Sequence, residues 1–144
     1  MKQGNIILII IFLLTFTSCS TEITIENYVD LNANLMLTVN KTNDQTGLTE
    51  SKTQILVPKS EKFLQFIDWT KNNQDNWKST PASYIAKVSI TQKDFRFLYN
   101  QDFVVIGFAD NDGKAKQYSK TVKKGELDFL INGLTTYEAK KPSH

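Results

Sequence analysis

Side chains able to do chemistry are few in this chain of 144 residues, which holds one cysteine, Cys19, and one histidine, His144. Without a second cysteine or an internal histidine, neither a Cys/His zinc site nor a Ser-His-Asp or Cys-His nucleophile can be assembled. Carboxylates are what is left. Asp110-Asn111-Asp112-Gly113 has the composition of a calcium loop, which wants D-x-[DN]-x-[DN]-G followed by a Glu six residues past the glycine. The register fails: with Gly113 as the invariant glycine, Phe108 takes the first ligand position and Ser119 the last. Asn, Asp and Gly tolerate positive φ, so these four residues suit a hairpin turn instead. Asp94, Asp102 and Asp128 fall at expected strand and helix ends, where turns and caps place such residues, and no pairing for acid–base work can be read from their spacing. The expectation is a chain that is not an enzyme and has no cofactor and no metal.

Cys19 has a different setting. As the only thiol it cannot form an intramolecular disulfide, and a free thiol in an oxidising compartment is a liability unless it is capped. Before it come one basic residue, Lys2, an apolar run from Ile6 to Leu14, and small polar residues, which is the layout of a secretory signal. Ile6 to Phe16 supplies 11 residues, short of the about 20 that a spanning helix needs. Ordinary signal peptidase wants small residues at the first and third positions before its cut, and Phe16 is bulky at the third. Leu14-Thr15-Phe16-Thr17-Ser18-Cys19 resembles the lipobox of bacterial lipoproteins. Ser18 and Cys19 match it, while Phe16 stands where Leu is usual. The resemblance implies that residues 1–18 are a signal peptide and that Cys19 carries two or three acyl chains, enough to hold a protein on a membrane where one chain is marginal. It further implies a place in the bacterial cell envelope, anchored to the outer membrane and facing the periplasm. Residues 19–28 are then a lipidated N-terminus and short tether, at most about 30 Å long at ~3.3 Å per residue.

Removing 18 of 144 residues leaves 126, the size of one domain. Lys2 is the only charge removed, so 17 basic and 15 acidic side chains become 16 and 15, a formal charge of +1. Such near-neutrality argues against a nucleic-acid partner, which calls for a strong basic patch.

The elements follow from periodicity. Val29, Leu31, Ala33, Leu35, Leu37 and Val39 alternate as in a half-buried strand. Polar Lys41 to Lys52, with Gly47, predicts a loop into a second strand, Thr53 to Val57, and the two strands a long-looped hairpin. Pro58 stops that strand. Ser60 is placed to N-cap a helix with Glu61 in its first turn and Phe63, Leu64, Phe66, Ile67 and Thr70 on one face, ending near Asn72 or Asn73. From Tyr84 the period is two. Tyr84, Ala86, Val88 and Ile90 share a face; after a Gln92-Lys93 turn come Phe95, Phe97 and Tyr99; Phe103 to Ala109 is apolar on both faces, as in a central strand. Lys114 to Val122, with Lys114, Lys116 and Lys120, suits an exposed edge. Leu127, Leu130 and Ile131 predict a short helix over Glu126 to Asn132, stopped by Gly133. The class is α+β with an antiparallel sheet: a β-hairpin, a helix, a four-strand meander and a short C-terminal helix in one domain, 29–133, followed by a polar tail, 134–144.

Trp69, Asn73, Trp77 and Tyr84 are the candidate partner contacts, because Trp77 sits in an otherwise polar loop and loop aromatics can anchor partners. The competing reading has both indoles covering the seam between helix and sheet. With Phe63 to Asp75, the Pro81-Ala82-Ser83-Tyr84 run, Phe95 and Val104-Val105, the W-x-x-x-N-x-x-x-W spacing of Trp69, Asn73 and Trp77 resembles that of small membrane-anchored bacterial proteins, over about half of the mature chain. Some of these resemble immunity partners of secreted antibacterial toxins. The likeness implies a non-enzymatic protein-binding module on the membrane, with a toxin acting in the periplasm as one partner. The alternative is a carrier of a small ligand or cell-envelope component, with an apolar cavity lined by Phe63, Phe97 and Phe108.

Overall fold

A computed structural model describes residues 20–43 and 45–133. Among them are strands β1 (Leu35–Thr42) and β2 (Thr49–Leu56), helix α1 (Glu61–Lys71), and strands β3 (Lys78–Ser79), β4 (Val88–Gln92), β5 (Phe95–Asn100), β6 (Phe103–Ala109) and β7 (Ala115–Thr121). All pair antiparallel in a single sheet, in the order β2-β1-β4-β5-β6-β7-β3. The fold is α+β, and no helix among the described residues is long and apolar enough to cross a membrane.

Alternation sorts the side chains onto two faces. Leu37, Ile90, Phe97 and Ile106 stand in one row across β1, β4, β5 and β6. Against this inner face α1 lays Phe63, Phe66, Ile67 and Trp69. Phe66 and Trp69 meet the Phe97 ring edge-on at centroid separations of 5.1 and 5.5 Å, the geometry that aromatic quadrupoles favour. Burying each such side chain contributes about 1.5–3 kcal/mol. Glu61 in the first turn and Lys71 in the last suit the helix dipole, and Ser60 is the N-cap residue although its hydroxyl makes no capping bond.

The outer face is covered by a strap. Ser79 ends β3 at one edge of the sheet and Val88 begins β4 near its middle, so residues 80–87 must cross β7, β6 and β5. They cross on the side away from the helix. Gln117 on β7 donates its side-chain amide to the Thr80 and Ala82 carbonyls at 3.3 and 2.6 Å. Tyr84 packs on Phe103 with centroids 5.4 Å apart, and Asn40 on β1 receives the end of the strap through the Ala86 and Lys87 carbonyls. Val105 points away from the helix and is nevertheless fully buried, as a cover on that face requires.

Four expectations are corrected. The first strand begins at Leu35, not Val29, because the chain turns through Asp30–Asn34. The Gln92 side chain pins that turn, accepting from Asp30 N at 2.6 Å and donating to the Asp30, Ala33 and Asn34 carbonyls. Half of polar Lys41 to Lys52, namely Lys41–Thr42 and Thr49–Lys52, is strand rather than loop, since Thr38–Thr53, Asn40–Ser51 and Thr42–Thr49 side chains bond to one another across the hairpin. Tyr84 and Ala86 alternate in phase with β4 but belong to the strap, and the short strand β3 covers part of the β7 edge. The closing helix over Glu126 to Asn132 is a single 3-10 turn, Asp128–Leu130, which buries Leu130. Lys62 caps it by donating to the Leu130 and Asn132 carbonyls at 3.1 and 2.8 Å. Residues 1–18 and the tail 134–144 lie outside the described residues.

Candidate functional site

Trp69, Asn73 and Trp77 are brought together where α1 ends. Four-residue spacing on a helix sets side chains one above another, and this motif uses the spacing for hydrogen bonds. Asn73 Nδ2 donates to the Trp69 carbonyl at 3.0 Å, and the Asn73 carbonyl accepts from Trp77 Nε1 at 2.9 Å. Trp69 Nε1 donates to Glu126 Oε1 at 2.7 Å, tying the helix to the C-terminal segment. The Trp77 backbone closes a two-bond bridge with Thr21, at 2.8 and 3.1 Å, and Ile23 N donates to Gln74 O at 2.7 Å. Three parts of the chain thus converge on one indole pair.

The clasp changes the expected role of its residues. Trp77 is 0% exposed and Trp69 8%, so neither indole offers a face to a partner, and both serve the seam between helix and sheet. Asn73 spends its amide on the helix end. Tyr84, half-buried like Asn73, is the one of the four that borders open space: its hydroxyl lies 2.9 Å from Thr80 Oγ1, and it walls a recess of about 550 Å³ with Lys78, Phe103, Ser119 and Thr121. Lys120 lies beneath, with Nζ 5.9 Å from the Trp77 ring centroid and 3.2 Å from Asp75 Oδ1. The cation over an aromatic face adds to the closure.

The N-terminal segment is the second correction. Ile23 and Ile25 are buried in the core and Thr21 is hydrogen-bonded, so residues 21–28 belong to the domain instead of forming a tether. Cys19 lies outside the described residues, one position before Ser20.

Electrostatics mark a carboxylate and a phenol here. Burial pushes the Glu126 carboxyl up, but the Lys123 backbone N–H, the Trp69 indole and the charges of Lys123 and Lys120 outweigh it and hold the group below its ordinary value. Burial, then the Asp128 charge, raises the Tyr99 phenol, whose hydroxyl donates to Gln101 O at 3.1 Å and lies 3.5 Å from Asp128 Oδ1. Asp94 and Asp102 sit in the turns at opposite ends of β5, so the three candidate aspartates cannot form one cluster. Asp110 accepts from the Asp112 and Lys114 backbones at 3.0 and 2.8 Å, which makes the Asp110–Gly113 segment a self-bonded turn. Among the described residues, no three His, Cys, Asp or Glu side chains stand close enough to hold a metal.

No protein-family model, curated protein or solved structure matches the chain. The geometry must therefore speak alone. Sequence reasoning missed one surface. Met36 and Ile55 face each other across β1 and β2 on the outer face, beyond the reach of the strap, with Val57 two residues along from Ile55. They are 46, 51 and 55% exposed. The signal was present in Ile55-Leu56-Val57, an apolar run on both faces of a strand that has a core on one.

Proposed function

We propose that the protein is a lipid-anchored lipoprotein of the bacterial cell envelope, held through Cys19 at the outer membrane facing the periplasm, that acts as a non-enzymatic protein-binding module. The observation that carries the binding role is the uncovered apolar patch of Met36, Ile55 and Val57. α1 covers the middle of one face of the sheet and the strap crosses β7, β6 and β5 on the other, which leaves these three apolar side chains outside both covers, and exposed apolar clusters mark partner sites. In its most specific form the partner is a toxin acting in the periplasm, and the module an immunity protein.

The anchor and the binding role have separate tests. Radiolabelled palmitate incorporation should be lost, and the protein released from membranes, in Cys19→Ser. Capture in mild detergent should recover a discrete partner with the native chain and not with Met36→Asp/Ile55→Asp. Recovery of no partner, or of the same partner by both chains, would sink the binding role. The carrier alternative gains little from the packing, because the space between helix and sheet is filled by Phe66, Trp69 and Phe97 in edge contact.

A further inference from the structure

We infer that β2 is a self-complementary edge through which two copies of the chain join into one continuous sheet. β2 closes the strand order on one side and runs its whole length against β1 in unbroken register, Leu35↔Leu56 through Thr42↔Thr49. It holds no proline and no bulge that would spoil a further pairing. The phase of its hydrogen bonds is fixed at the tip, where Asn43 N donates to Leu48 O at 2.8 Å. Antiparallel pairs alternate between bonded and non-bonded types, so Leu48, Glu50, Lys52 and Gln54 turn their backbones towards β1. Thr49, Ser51, Thr53 and Ile55 turn theirs outward.

A second copy related by a two-fold axis must match outward residues to outward residues, which restricts the axis to few positions. With the axis at Ser51, Thr49 faces Thr53 of the second copy, and Glu50 faces Lys52 of the second copy, twice over. These two charge pairs are of the non-hydrogen-bonded type, with Cα atoms about 4.5 Å apart, the closer of the two spacings. Moving the axis to residue 50 or 52 sets Glu50 on Glu50 or Lys52 on Lys52. The one acidic and one basic residue within β2 thus favour a single register and oppose its neighbours, which is how charged edges avoid indiscriminate pairing. The committed occupant is therefore another copy of this chain, independent of the patch at Met36 and Val57.

Sedimentation velocity on the full chain, in detergent with micelles in large excess over protein, tests this with four chains: native, Glu50→Lys, Lys52→Glu and the double exchange. Glu50 is exposed and Lys52 half-buried, and circular dichroism verifies that each variant folds. Native protein should dimerise reversibly, each single reversal should weaken association about tenfold, from two pairs at cross-strand energies, and the double exchange should restore it. A monomer throughout, a dimer indifferent to the reversals, or a double exchange as weak as the singles would overturn the proposal.

Discussion

Truncating Trp77 to alanine probes the clasp most directly. The indole is fully buried and its Nε1 satisfies the Asn73 carbonyl. Removing it leaves a cavity and a carbonyl without its donor; large-to-small aromatic changes in cores cost about 3–5 kcal/mol. Total stability for a domain is about 5–15 kcal/mol, so the variant should lose about a fifth or more and melt roughly 10–20 °C lower. Trp77→Phe keeps most of the ring and loses the N–H, and should cost about 1–3 kcal/mol. Urea and thermal unfolding followed by circular dichroism give both values. Hydrogen exchange adds the location: the Thr21 and Ile23 amides, bonded to Trp77 and Gln74, should exchange much faster in Trp77→Ala, ahead of those in β5 and β6. A loss under about 1 kcal/mol, with Thr21 still protected like the core, would refute the clasp as the element that binds the N-terminal segment to the domain.

Three further outcomes follow from other contacts. The Glu126 carboxyl lies below its ordinary value of 4.5 when folded and near it when unfolded, so its stabilisation is complete above about pH 4.5 and is lost as pH falls through the folded value; the stability gap between native protein and Glu126→Gln should shrink in acid, and a gap constant from pH 6 to 3 would contradict this. Gln92→Ala removes four bonds to the Asp30–Asn34 turn and should cost about 1–2 kcal/mol in urea titration, with faster exchange at the Asp30 amide. Lys93 holds φ +48° in the tight β4–β5 turn, where glycine is unstrained, so Lys93→Gly should raise stability by about 0.5–1 kcal/mol; an unchanged midpoint would show that the turn carries no strain.

Much of the architecture is legible in the residues because it rests on local periodicity. The α1 stripe, the alternation of Phe95, Phe97 and Tyr99, and the two-faced apolar run of β6 each declare their element. What is not legible depends on residues distant in the chain. Val29, Leu31 and Ala33 alternate like a strand, yet Gln92, more than fifty positions on, bends them into a turn. Tyr84 and Ala86 keep the phase of β4, but the connection from β3 needs those residues to travel across the sheet. Lys62 accepts the role of cap for a turn near residue 130, and a single side chain at that range leaves no pattern to read. The Trp69-Asn73-Trp77 spacing was visible, and its purpose was not: the same aromatic pattern serves a core or an interface, and burial alone separates them.

The segment from Trp77 to Gln92 also governs the order in which the chain can fold. β1 and β2 can pair as soon as both exist, but the other edge of β1 waits for β4, as Val39 waits for Val88 and Met36 for Thr91. Thr21 waits for Trp77, more than a third of the chain away. A chain that emerges N-terminus first therefore holds a hairpin with both edges bare until this segment arrives, and closures of such long range fold slowly. A fragment that stops short of Trp77 lacks the partners of Thr21 and of the second edge of β1, whereas one that ends after β4 already owns both closures of its N-terminal half.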